Sequence, residues 1–171
     1  AGDINIEETK DLVKKWFGEI PSGPEVEDLS FEPVKLDSVK ALYFEDNFAK
    51  LPELRMVIPT VKEYHKDTYA LNILGQILSG SKKSPLYNVI VEEEKLAPGV
   101  SSYQSSSELA GEFVFRVRAN ANTDLDSVKV AIEEGLKRFE TNGVNEKELK
   151  RIKAELETQL YQGVSTVLNK A

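Results

Sequence analysis

Residues 112–121 carry the pattern that most restricts the fold of this chain. Apolar and polar side chains alternate along it. Phe113, Phe115, Val117 and Ala119 form one set, and Arg116, Arg118 and Asn120 form the other. Successive side chains of a β-strand point to opposite faces of its sheet, so this pattern predicts a strand with one apolar face. We expect the polar face to meet water or a cavity.

Further strands are predicted on both sides of this one. Residues 99–107 should pair with residues 112–121 as a hairpin, joined through the sequence ELAG. Leu54–Ile58 is a short, almost wholly apolar strand closed by Pro59, and the alternation in residues 29–44 predicts extended chain before it. The sequence therefore predicts two or three strands ahead of the hairpin.

Five segments have apolar residues at helical spacing. They begin near Ile6, Asp67, Ser84, Leu125 and Asn145. Asp67 is expected to be the N-cap of its helix, Ser84 and the following proline open the next, and the last helix is expected to run to the chain end. Hairpins separated by helix pairs favour an α+β fold, in which helices cover one face of an antiparallel sheet.

Composition limits the possible partners. The 171 residues are 40% hydrophobic, enough for one domain with a real core. A net charge of −7 argues against nucleic acid and anionic membrane as partners, and the absence of cysteine excludes thiol chemistry. We expect a soluble protein of the bacterial cytoplasm or periplasm, although nothing in the sequence names the compartment. The missing initiator Met indicates an excised or processed chain.

The residues that could do chemistry are few. His65 is the single histidine, and a surface or capping role is favoured over a ligand role because catalytic zinc needs three protein ligands. Glu92, Glu93 and Glu94 stand together at the end of a predicted helix, where negative charge is mildly unfavourable. The serines in residues 101–107 indicate a small, polar strand surface. No Gly-rich phosphate loop is present in the sequence.

Three segments in order resemble the insulinase/pitrilysin family of zinc peptidases, which includes the mitochondrial processing peptidases. In residues 1–23 the resemblance lies in Gly-Asp, in Trp-Phe-Gly after a helix, and in a Pro-Ser-Gly loop. In residues 70–100 it lies in a helix that ends at Gly80, where the family has Leu-x-x-Gly, in a Ser-Pro-Leu-Tyr turn and in a final Leu-Ala. The third segment, residues 143–160, is a long helix after an Asn-Gly turn.

This resemblance implies a fold and a domain plan. The chain should be one half-repeat of the insulinase/processing-peptidase fold, the LuxS/MPP-like metallohydrolase fold. Residues 1–171 would form a single, truncated inactive domain of the peptidase. Residues 1–20 would be the tail of a preceding subdomain that is missing a strand partner upstream, residues 21–37 a linker, and residues 38–171 the main α+β body.

The resemblance also implies where zinc belongs. In the family an H-x-x-E-H motif on the other half binds the metal, and this chain has no such motif. No catalytic or metal-ligating residue is therefore predicted here, and zinc is expected in a homologous partner half. Active members place an Arg and a Tyr, seven residues apart, opposite the zinc. The matching positions here are Val91 and Pro98, and neither side chain can donate a hydrogen bond.

The leading hypothesis is a non-catalytic domain of a zinc metallopeptidase. It would wall a chamber for extended peptides and pack against the zinc-bearing half, which would be in the same polypeptide or another one. The candidates for lining this chamber are Val91, Pro98, Arg116 and Arg118. A polar strand face such as the one that carries Arg116 and Arg118 is, however, more often simply exposed to solvent. Two alternatives stay open: an assembly subunit without proteolytic role, like the core subunits of respiratory complexes, and an unrelated ligand-binding α+β domain.

Overall fold

The computed structural model describes residues 2–32 and 34–167. Within them a three-stranded antiparallel sheet has the strand order β1-β3-β2. The strands are β1 (Glu53–Thr60), β2 (Ser101–Ser106) and β3 (Gly111–Arg118). The helices are α1 (Ile6–Phe17), α2 (Lys66–Ser79), α3 (Pro85–Tyr87), α4 (Leu125–Asn142) and α5 (Glu146–Gly163). The predicted α+β class and the predicted hairpin are both confirmed.

The chain divides into two compact units. One unit, Ser30–Lys153, contains the sheet together with α2, α3 and α4. The other combines the chain before Ser30 with the chain after Lys153, so it contains α1 and the later part of α5. The predicted division at residues 20 and 37 stays a prediction. None of the helices in the described residues combines the length and hydrophobicity that crossing a bilayer requires.

Strand β3 is the centre of the sheet, and its apolar side chains lie in the core as the alternation predicts. Phe113, Phe115 and Val117 are each less than 5% exposed. The rings of the two phenylalanines meet edge to face with their centroids 5.2 Å apart. Burying these three side chains removes apolar area from water and so stabilises this unit.

The helices cover this apolar face. Leu86, Ile90, Val128 and Ile132 are all fully buried, and they share a core with the β3 side chains. The helix α2 lies against β2 closely enough that a methyl group on Gly75 would lie 2.7 Å from the carbonyl oxygen of Ser102. Glycine is therefore required by the distance between α2 and the sheet.

The serine run is only partly the polar surface that was predicted. Ser101 and Ser105 are exposed, but Ser102 is buried beneath α2. Its hydroxyl donates to the carbonyl oxygen of Gly75 at 3.0 Å, and its backbone N–H donates to Oγ of Ser79 at 2.8 Å. A small hydroxyl fits here because it satisfies buried polar groups in a space too narrow for a larger side chain.

The prediction of extra strands in residues 29–44 is wrong for the described part of that segment. Residues 29–32 and 34–44 have no strand pairing, and β1 is the only strand before α2 among the described residues. Val39, Leu42 and Tyr43 are each more than 85% exposed. Alternation gives a segment an apolar face and a polar face. The segment becomes a strand only when a neighbouring strand pairs with its backbone.

The structure corrects three local predictions. His65, and not Asp67, is the N-cap of α2. The Nδ1 atom of His65 accepts a hydrogen bond from the backbone N–H of Asp67 at 3.2 Å. The capping role proposed for this histidine is therefore confirmed. Pro59 does not close β1, because the strand continues to Thr60; proline is tolerated there since β1 is an edge strand. Helix α5 ends at Gly163, and the final residues 168–171 lie outside the described residues.

The helix that carries the three glutamates changes its hydrogen-bond pattern. It opens at Pro85 after Ser84, as predicted, and continues beyond Tyr87 as a π-helix, Asn88–Glu93. Val89 and Ile90, both in the π-helix, are buried. Such single-turn π segments are recurrent at functional sites but do not by themselves define one.

Candidate functional site

The face of the sheet opposite the helix-covered core is the place where the predicted polar residues meet. We call it the open face, and the strand register assigns it these residues: Glu53, Arg55, Val57, Pro59, Ser101, Tyr103, Ser105, Glu112, Val114, Arg116 and Arg118. All are exposed except Glu112, which is half-buried, and Val114, which is buried between its cross-strand partners Val57 and Tyr103. The open face is therefore polar at its ends and apolar at its centre.

Ion pairs cross the strands on the open face. Arg116 holds Glu53 with two parallel hydrogen bonds, from Nε to Oε1 at 2.9 Å and from Nη2 to Oε2 at 3.0 Å. Arg118 also reaches Glu53, but both of its bonds go to Oε2, at 3.3 Å and 3.2 Å. Arg55 pairs separately with Glu112 at 2.8 Å. A forked arginine–carboxylate pair is the stronger and more specific geometry, so Arg116 is the principal partner of Glu53.

The charge of Glu53 is stabilised by these arginines. The hydrogen bond from Arg116, followed by the weaker one from Arg118, lowers the pKa of Glu53 below its ordinary value of 4.5. The same bond raises the pKa of Arg116. Both groups are charged at neutral pH, which makes this part of the open face an ionic surface without a proton donor or acceptor suited to acid–base chemistry.

A recess of about 410 Å³ lies at this end of the open face, and we call it the Pro98 recess. It is lined by Glu53, Pro98, Gly99, Val100, Ser101, Arg116 and Arg118. Three of the four predicted chamber candidates, namely Pro98, Arg116 and Arg118, are thus brought together. The fourth, Val91, lies in the π-helix, where it is partly buried and packs against the core.

Sequence reasoning missed Glu53 and Ser101 as members of this site. Glu53 opens β1 two residues before Arg55, and Ser101 opens β2. In the strand register, Glu53 of β1 lies opposite Arg118 of β3, and Ser101 of β2 lies opposite Arg116 of β3. Alternation could have placed each residue on the polar face of its own strand, but only the strand order shows that they share one recess.

The glutamates at residues 92–94 are not brought together with other site residues. Glu93 accepts from Nη1 of Arg138 at 2.7 Å, and Nε of Arg138 donates to Glu134 at 2.9 Å. The first of these bonds lowers the pKa of Glu93. Glu93 therefore ties the end of the π-helix to α4, which is a structural role.

A larger recess, of about 920 Å³, lies between the segment before α3 and the turn from α4 to α5. Its lining includes Lys82, Lys83 and Lys147 together with Arg138 and Arg151. Both arginines are paired with glutamates, Arg138 as above and Arg151 with Glu148. None of the predicted chamber candidates lines this recess.

The described residues do not fit zinc. Across residues 2–32 and 34–167, no three His, Cys, Asp or Glu side chains come together in a way that could hold a metal ion. The single histidine, His65, has its Nδ1 engaged in capping α2. Catalytic zinc sites use three protein ligands, and this part of the chain does not supply them.

Comparison with known proteins gives a family match over most of the chain. The profile described as "Peptidase M16 inactive domain" matches residues 1–156. A zinc protease of Bacillus subtilis, YmxG, itself uncharacterized, is 28% identical over 173 residues, which cover 99% of this chain and 40% of that protein. The zinc protease PqqE of Helicobacter pylori is 24% identical over 157 residues, covering 90% of this chain and 35% of that protein.

The fold has matches among solved structures. A protease from Helicobacter pylori superimposes with a TM-score of 0.73 at 19% identity, covering 98% of this chain and 41% of that one. The chain thus spans roughly two fifths of the length of these relatives. The structural match confirms the α+β fold, and the profile confirms the resemblance to the insulinase/pitrilysin zinc peptidases. With 156 residues matched, this chain belongs to the peptidase M16 inactive domain family.

Proposed function

We propose that this chain is the non-catalytic half of a zinc peptidase, and that its open face walls a chamber for extended peptides. The observation that carries the proposal is the gathering of Pro98, Arg116 and Arg118 in one recess on an exposed strand face. Pro98 is separated in sequence from Arg116 and Arg118, and it was selected by motif whereas the two arginines were selected by alternation. Zinc, and the residues that activate its bound water, would be supplied by a homologous half that packs against this one.

An open strand face suits an extended peptide. Side chains of an extended peptide alternate, so every second one can contact a flat surface such as the open face. The apolar centre at Val57, Val114 and Tyr103 offers contact to apolar side chains, and the ion pairs that Glu53 makes at one end orient polar ones. Ion pairs across strands also keep the arginines in place before a peptide arrives, which lowers the entropic cost of binding.

The part of this half in the hydrolytic step is limited. Neither Val91 nor Pro98 can donate a hydrogen bond to an oxyanion, and Val91 packs against the core. The donors would therefore come from another part of the complete enzyme. What remains for this half is to hold and orient the peptide and to exclude water from the chamber.

The proposal is tested with a photo-cross-linking amino acid at Tyr103 on the open face. A matched control carries it at Val130, an exposed position on α4. Each variant is mixed with the zinc-bearing half of a family member and an unfolded peptide. We expect the peptide to be captured at position 103 and not at position 130, and the isolated chain to bind no stoichiometric zinc and hydrolyse nothing.

Two results would contradict the proposal. Stoichiometric zinc with peptide hydrolysis by the isolated chain would mean that the catalytic machinery lies in this half. A stable complex with the zinc-bearing half, but equal or no peptide capture at the two positions, would favour the assembly subunit without proteolytic role.

A further inference from the structure

We propose that Arg118 in the Pro98 recess binds a carboxylate of the peptide, so that this half selects acidic peptides. The inference rests on the proposed function and adds to it a chemical class of substrate. It depends on the juxtaposition of Arg116, Arg118 and a single carboxylate, that of Glu53, on an exposed strand face.

The two arginines are not equivalent partners of Glu53. Arg116 uses both carboxylate oxygens, at 2.9 Å and 3.0 Å, which is the full forked geometry. Arg118 places both of its bonds on Oε2, an oxygen already bound by Arg116. Its bonds, at 3.3 Å and 3.2 Å, are longer than typical charge-assisted ones. Arg118 is thus the weakly held guanidinium of the pair.

The exposure of the two arginines and the balance of charges on the open face also favour Arg118 as the residue that binds the ligand. The side chain of Arg118 is 62% exposed, against 47% for Arg116. On the open face, three arginines stand against two glutamates, because Arg55 is matched by Glu112 while Glu53 serves two partners. One positive charge is left over in a chain whose net charge is −7. The surplus is located at Arg118.

An incoming carboxylate can therefore bind without leaving any charge unpaired. Arg118 turns its guanidinium fork to the ligand, and Glu53 keeps its two bonds to Arg116. A planar guanidinium matches a carboxylate with two parallel hydrogen bonds, and a lysine or a neutral amide lacks this geometry. Arg55 does not line the recess, and its pairing with Glu112 has no competing partner on the open face.

A carboxylate of a peptide comes either from an acidic side chain or from the C-terminus. Both present the same chemistry to Arg118, and the exposed surroundings of the recess leave room for either. The experiment needs one arm for each source.

The test uses three labelled peptides of otherwise identical neutral sequence and the complete chain. One has a central Glu and an amidated C-terminus, the second has Gln in its place, and the third has Gln with a free C-terminal carboxylate. Fluorescence anisotropy measures each affinity at low and high salt. We expect the central Glu, the free terminus or both to strengthen binding about tenfold over the amidated Gln peptide, since hydrogen bonds to charged groups have roughly that effect.

Variants assign the effect to one side chain. Arg118→Gln should abolish the preference, Arg118→Lys should retain part of it through charge alone, and Arg55→Gln should retain it fully. High salt should weaken the preference, because the site is exposed. The central Glu peptide binding best identifies a side-chain carboxylate, and the free terminus binding best identifies a C-terminal one.

Three results would overturn the inference. The first is equal affinity for all three peptides, and the second is a carboxylate preference that survives in Arg118→Gln. The third is an equal loss of the preference in Arg118→Gln and Arg55→Gln, which would reflect only the general electrostatic field of the open face. Equal affinities combined with cross-linking at position 103 would remove the selection but leave the chamber wall. Absence of cross-linking would remove the chamber wall itself.

Discussion

The two faces of strand β3 are stabilised by different forces, although they alternate residue by residue. Phe115 is buried under helices, while its neighbour Arg116 is exposed and paired with Glu53. The covered face gains from removing apolar area from water, about 25 cal/mol per Å². The open face holds exposed ion pairs, each of which contributes at most about 1 kcal/mol to stability. Stability therefore depends mainly on the covered face, and substitutions on the open face should cost little.

The largest expected loss of stability comes from a substitution on the covered face. Phe115→Ala should lower the free energy of unfolding by about 3–5 kcal/mol, since truncating a buried aromatic loses its transfer energy and leaves a cavity. Arg116→Ala, one residue away and on the open face, should cost far less, because an exposed ion pair contributes little to stability. Urea unfolding followed by circular dichroism compares the two. Similar losses would mean that the open face is part of the stabilising core.

A second variant tests how closely the helices approach the covered face. In Gly75→Ala the new methyl group would lie 2.7 Å from the backbone oxygen of Ser102, so α2 must shift. We expect overpacking to cost about 1–3 kcal/mol, which outweighs the gain of up to about 1 kcal/mol in helix propensity.

Gly99→Ala in the Pro98 recess is the matched control. Apart from its two chain neighbours, no residue has an atom within 4 Å of a methyl group placed there, so the melting temperature of this variant should stay close to that of the wild type. A Gly75→Ala variant more stable than the wild type would show that α2 is free to move away from β2.

The smallest effect concerns the open face and depends on pH. The pKa of Glu53 is lowered in the folded state by Arg116, so the pair contributes stability above pH 4.5 that is lost as the pH falls through the folded-state pKa. Glu53→Gln should thus be less stable than the wild type at pH 7, by about 1 kcal/mol or less, and the difference should shrink below pH 4.5. If the stability difference between the two proteins grew as the pH fell, the folded state would raise the pKa of Glu53 instead of lowering it.

Much of the fold could be predicted because its signals are local. The alternation of β3 fixed its two faces, and the cap at Asn145 marks the start of α5, where its side chain accepts from the N–H groups of Lys147 and Glu148. Gly143, with φ of 68°, ends α4 at the Asn-Gly turn that precedes the last predicted helix. Each of these depends on residues within one turn or one strand.

The failures arose where the local pattern allowed more than one structure. Residues 34–44 alternate as a strand does but are unpaired, because pairing depends on a neighbour and not on the segment itself. His65 could be identified as capping or surface from its position, but its displacement of Asp67 as the N-cap follows from the actual start of α2. The predicted candidate Val91 lies apart from the other three, since it belongs to the π-helix and packs against the core.

The sequence by itself determined the α+β class, the polar face of β3 and the family, since periodicity and motif order are properties of the chain. Only the tertiary structure decided that Glu53 lies between Arg116 and Arg118, and that Pro98 shares their recess. These residues come from two strands and a loop, and the pairing of β1 with β3 brings Glu53 and the two arginines together. The physical reason is that alternation sets which way a side chain points, whereas strand pairing sets which side chains it meets.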